Sequence, residues 1–213
     1  MSRAWPVKGV DPEGTLADNA RRILTVRMGE FYSYEPVIPF EAAIEPLHDM
    51  RIAAKRLRYT LELFEVVFGD LGKRQIERVK AVQEDLGTLH DFDVRIHLVE
   101  DELRALTEEE IAATNDGIEP MSIGETTTPP DVRRGLLTLL TNERAARRER
   151  YRAFVARWNE LREADMRGDL DRLSASRIVT ATDGAASDLP NPGNGAPAME
   201  DKRAEAKRYS AAF

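Results

Sequence analysis

The chain has 213 residues, 42% of them hydrophobic and 32% charged, and a formal net charge of −7. This composition suits one well-buried soluble domain with a tail, and no apolar run approaches the roughly 18 residues of a membrane span. Cysteine is absent, which excludes disulfides and thiolate metal sites. The opening MSRAWPVKGVDPEG lacks the apolar core of a signal peptide, so we read the chain as cytoplasmic. The net charge conceals a segregation. Residues 100–131 hold ten acids against one base, residues 131–162 nine arginines against four acids, and residues 47–80 eight Lys or Arg against five acids. A ligand responds to such local fields more than to their sum.

In chain order, a turn at Asp11 to Gly14 leads into a helix predicted from about Thr15 to Tyr34, capped by Thr15 or Asp11. Its stripe is Leu16, Ala20, Ile23, Leu24 and Phe31, and Arg27 projects from the middle of it. Pro36 and Pro39 end this helix. The next, Leu47 to Phe68, carries two messages. Met50, Ala53, Ala54, Leu57, Leu61, Phe64 and Phe68 fall on one side at about 100° per residue and form a core face. Beside them, within roughly 100° of arc, His48, Arg51, Lys55, Arg58, Tyr59 and Glu62 are stacked three or four residues apart. Cations at that spacing repel one another, and an anion is their natural complement.

Gly69, Asp70 and Gly72 predict a break before a third helix, Lys73 to Leu86, on which Lys80 and Gln83 share a side. Gly87 is read as its end. A fourth helix, roughly His90 to Leu106, buries Phe92, Ile96, Val99, Leu103 and Leu106. Asp91 and Asp93 sit in its first turn, where they suit the helix dipole or orient arginines by bidentate pairing. Residues 107–130 have no period and read as an acidic loop or insert. A long helix, about Asp131 to Ala164, has an apolar face interrupted by Arg144, Arg147 and Arg148. Buried guanidinium groups must meet carboxylates, water or an anionic ligand. With Arg27 and Lys80 they suggest a polar cavity inside the bundle. Residues 166–213 are expected to be a disordered linker and tail.

The fold expected is therefore all-α, an antiparallel bundle of about five helices over residues 1–165. His48, Arg51, Lys55, Arg56 and Arg58, followed by Tyr59, Glu62 and Phe64, resemble the first block of the CHAD domain family. Lys80, Gln83, Leu86, Gly87, Asp91, Asp93 and Val94 resemble its second. The resemblance covers roughly residues 11–165. It implies a helical bundle with a basic central cavity that binds inorganic polyphosphate, without catalysis, cofactor or metal, and a place at polyphosphate granules. Ligand contacts would come from His48, Arg51, Lys55, Arg58, Lys80, Arg27, Arg144, Arg147 and Arg148, with Tyr59, Glu62, Gln83, Asp91 and Asp93 orienting them. CHAD domains commonly contain two helical repeats, whereas this chain shows one His-x-x-Arg block, so it resembles a half domain: either a shorter bundle is sufficient or two chains pair to rebuild the symmetric domain, and the reading leans to the pair.

Other functions fit the residues less well. His48 with His90 and Asp91 is similar to the ligand set of HD-type metal-dependent phosphohydrolases, but so many cations would disfavour a metal there. A phosphoacceptor role for His48 lacks a kinase-like partner domain. A nucleic-acid reader needs exposed basic residues interleaved with aromatics, whereas these cations track the core stripes.

Overall fold

A computed structural model of the chain describes residues 3–115 and 130–175; the central part of the expected insert and the rest of the tail lie outside these. Among the described residues there is no strand. Five α-helices follow one another: α1, Leu16–Tyr32; α2, Ile44–Leu63; α3, Glu65–Asn115; α4, Pro130–Glu163; and α5, Met166–Ala175, with a 3-10 turn at Glu35–Val37 between α1 and α2. The all-α bundle expected from the sequence is the fold observed.

Local chemistry accounts for the helix ends. The Thr15 hydroxyl accepts from the Asp18 amide at 3.1 Å and donates to its carboxylate at 2.7 Å, so Thr15 is the N-cap of α1. Asp11 instead closes the preceding turn, its carbonyl accepting from Gly14 at 3.0 Å. The second helix does not run to Phe68 as predicted. It stops at Leu63, and Phe64 (φ −109°, ψ 25°) leaves the helix before α3 starts at Glu65. The irregularity brings Phe64 and Phe68 edge to face, 6.5 Å apart, both essentially buried.

The predicted breaks near residues 70 and 87 resolve differently. Gly69 takes φ 57° and ψ −148°, a region open to glycine, but the helix resumes at once. At Gly72 a β-carbon would lie 2.5 Å from that of Phe68, so glycine is needed for close approach. Gly87 ends nothing: it lies inside α3, which continues through residues 107–115 of the expected loop. A glycine costs a helix interior only about 1 kcal/mol, which neighbouring packing readily outweighs.

The helical part also extends beyond residue 165. Asp165, at φ 51°, makes a tight corner after α4, and its carboxylate accepts from the Gly168 amide at 3.2 Å to start α5. Met166, Leu170 and Leu173, on one face of α5, are buried. A helix of ten residues carries too few periodic positions to stand out from a polar tail.

The described chain forms two compact units. One comprises residues up to Leu86 together with those from Val155; the other is Gly87–Phe154. In the first, α1 packs on α2 and α5. Its core includes Leu24, Phe31, Met50, Leu57, Leu61, Val79, Trp158 and Leu170, each at most 5% exposed. Phe31 and Tyr32 meet the Trp158 ring at 5.6 and 5.9 Å. The second unit contains segments of α3 and α4 joined by Arg147–Asp93, Arg95–Glu143 at 2.9 Å, Arg144–Glu100 at 2.6 Å and Arg133–Glu110 at 2.8 Å. From Asp93–Arg147 to Glu110–Arg133 the numbers rise on α3 and fall on α4, so the two segments are antiparallel.

Candidate functional site

The basic arc of α2 lies in the first unit. Burial of Met50, Ala53, Ala54, Leu57 and Leu61 fixes the helix rotation and leaves His48, Arg51 and Arg58 half-buried and Lys55 and Tyr59 exposed. Arg58 is held on three sides. Its Nε donates to Gln83 at 2.9 Å, a terminal nitrogen donates to Glu62 at 2.7 Å, and its guanidinium stacks 4.7 Å from the Tyr59 ring centre. Tyr59, Glu62 and Gln83 therefore share one cation. Lys80, exposed on α3, is three residues before Gln83, so the same helix face brings it one turn away. The Lys55 ammonium stands 5.8 Å from the centre of the same Tyr59 ring.

Arg51 differs from Arg58. Its Nε is buried without a hydrogen-bond partner, and among the described residues Arg51, Lys55 and Lys80 make no ion pair. Leaving a charged donor unsatisfied costs about 1–3 kcal/mol or more. One turn of helix separates Arg51 from both His48 and Lys55, so an anion placed along this arc meets several donors at helical spacing.

The other inward cations are met by carboxylates. Arg27 donates to Glu30 at 2.7 Å and to the Trp5 carbonyl at 3.0 Å. Arg56 reaches the second oxygen of Glu30, at 2.5 Å. On the helical wheel Arg56 points away from the basic ladder; its partner is the α1 carboxylate, which only packing of α1 against α2 brings there. Arg144, Arg147 and Arg148 of α4 belong to the second unit. Arg147, 7% exposed, is gripped by both oxygens of Asp93; Arg144 pairs with Glu100; Arg148 is exposed. Asp91 is exposed as well.

Two polar constellations escaped the sequence reading. Glu30, wholly buried, bridges Arg27 and Arg56; the three-residue spacing from Arg27 was its only local signal. Buried Gln75 and half-buried Arg78 donate to the same oxygen of Asp169 at 3.1 and 2.7 Å, while Arg172 binds the other. Arg172, then Arg78, holds the Asp169 carboxyl below its ordinary value of 3.8 against the opposing effect of burial. A partner 91 residues away leaves no local trace.

A cavity of about 300 Å³ in the first unit is lined by Tyr32, Glu35, Trp158, Leu161, Arg162, Asp165, Met166 and Arg167, none of them on the basic arc. Burial, and after it the nearby Glu35 charge, pushes the Tyr32 hydroxyl pKa up, so the phenol stays protonated. Among the described residues no three His, Asp or Glu side chains gather where they could hold a metal ion, and no helix is long and apolar enough to cross a membrane.

These features define an all-α bundle protein with a cationic arc along one core helix. The model of the CHAD domain family matches residues 4–100, and by this match that segment is recognised as CHAD-like; the family is associated with polyphosphate binding. The match takes in α1, α2 and α3 as far as Glu100, and with them the whole basic arc. Comparison with curated proteins and with solved structures finds no match.

Proposed function

We propose that the first unit is a non-catalytic binding module for inorganic polyphosphate, with Arg51, Lys55, Arg58 and His48 of α2 and Lys80 of α3 as its contacts. The observation that carries this reading is Arg51, a cation that makes no ion pair among the described residues and has a buried, unsatisfied Nε in the middle of the arc. The match of residues 4–100 to the CHAD family model supports the ligand class. Arg58, held by Gln83, Glu62 and Tyr59, is pre-organised, so little rotamer freedom remains to be lost on binding. Guanidinium forks suit adjacent phosphate oxygens, while Lys55 and Lys80 add compact charge. Arg27, Arg144 and Arg147 are occupied by carboxylates and stand outside this contact set. Association with polyphosphate granules would follow from the ligand.

Calorimetric titration with polyphosphate of defined length tests the reading. Arg51→Ala combined with Arg58→Ala should weaken binding roughly a hundredfold or more, at about 1.5–3 kcal/mol per lost charged contact. Unchanged affinity in that variant rejects the site, and nucleic acid of equal charge competing as well as polyphosphate rejects the ligand.

A further inference from the structure

The second unit, Gly87–Phe154, leaves much apolar surface open. Of the twelve large hydrophobic residues that the described chain exposes, six lie here: Val94, Leu98, Ile111, Val132, Leu137 and Leu139. Two helices cannot enclose a core, because each buries only one stripe against the other. Part of the open surface, to which Val132 and Leu139 belong, is ordered. On α3, Phe92, Val99 and Leu106 recur every seven residues and are only half-buried. On α4, Val132, Leu139 and Ala146 recur at the same interval, the first two 48% and 44% exposed. A seven-residue interval keeps a row on one side of a helix, as packing against a further helix requires. Both rows border the same side of the hairpin. Arg95, one turn from Phe92 and Val99, joins Glu143, one turn from Leu139 and Ala146, at 2.9 Å.

We propose that a second copy of the chain covers this side, completing a four-helix bundle about a two-fold axis that runs along the helices. Charge selects the occupant. Residues 87–115 carry eight acids against two arginines, and residues 130–154 carry seven arginines against three acids. An isologous contact needs a patch complementary to itself. An axis along the helices lays the acidic segment of each copy on the basic segment of the other, whereas a partner of uniform charge would be repelled by one of the two. The inference rests on this unit alone and holds whichever anion the first unit binds.

Sedimentation velocity of the full chain at tens of micromolar should give a particle of twice the 24.0 kDa chain mass. Val132→Glu with Leu139→Glu places carboxylates in the seam and should weaken association about 100-fold or more. Leu137→Glu is the matched control: exposed on the same helix but about 200° round from Leu139, it should leave the dimer intact. A second readout avoids disruptive charges. The chain has no cysteine, so Leu139→Cys carries a single thiol, whose labelling by a maleimide should slow about tenfold or more between nanomolar and tens of micromolar protein, with Leu137→Cys unaffected. A monomer throughout, an undiminished dimer in the double variant, equal loss from Leu137→Glu, or labelling independent of concentration overturns the proposal.

Discussion

Arg56 of α2 and Glu30 of α1 meet at 2.5 Å, and the Glu30 side chain is fully shielded from water while Arg27 holds its other oxygen at 2.7 Å. A buried carboxylate with one of its two cations removed is left half satisfied. Arg56→Ala should therefore destabilise the fold by about 1–3 kcal/mol in urea denaturation. Polyphosphate affinity should hardly change. A variant of parental stability would show that Arg27 alone satisfies Glu30.

Arg51 should behave in the opposite way. Arg51→Met keeps an apolar stem and removes the buried, unpartnered Nε, so stability without ligand should stay level or rise by up to about 1–3 kcal/mol. Affinity for polyphosphate should fall about tenfold or more. Loss of stability together with unchanged binding would make this arginine a packing residue.

Salt separates a site built on charge from one built on shape alone. If Arg51, Lys55, Arg58 and Lys80 neutralise phosphates, association releases counterions, and the logarithm of affinity should fall linearly with the logarithm of salt concentration. Calorimetry across a salt series measures the slope, and a flat line contradicts the assigned contacts.

Asp169 makes part of the stability depend on acid. Its pKa is lowered in the folded chain by Arg172 and Arg78, so the folded state favours the carboxylate. The contribution is present above the ordinary value of 3.8 and is lost as the pH falls below it through the folded value. Asp169→Asn should be less stable at neutral pH, and the difference from the parent should shrink as both are acidified. A constant difference between about pH 7 and 2 would show that the ion pair contributes nothing.

Two glycines of the long helices should respond with opposite signs. A β-carbon at Gly72 would lie 2.5 Å from that of Phe68, so Gly72→Ala should lower stability by about 1–3 kcal/mol. Gly135 has nothing within 4 Å of such an atom, and Gly135→Ala should raise stability by about 1 kcal/mol through helix propensity. Thermal unfolding of the two variants reads both.

Periodicity made the α1 and α2 core stripes and the basic arc legible, because a helix converts sequence spacing directly into direction. Leu57 and Leu61 point inward, and Arg51 and Arg58 lie beside them, for that reason alone. Thr15 as a cap and the turn at Asp11 were equally local. Tertiary structure decided what competing local signals left open. Gly69 and Gly87 both lie in α3, yet one takes positive φ and the other keeps helical geometry, a difference that residue type alone does not make. Packing also decided which cations are already satisfied. Arg56 finds Glu30 across 26 residues, Arg147 finds Asp93 across 54 and Arg78 finds Asp169 across 91, while Arg51 finds no ion-pair partner among the described residues. Helical spacing specifies a side chain's direction, but its counter-charge comes from whichever helix hydrophobic burial brings alongside.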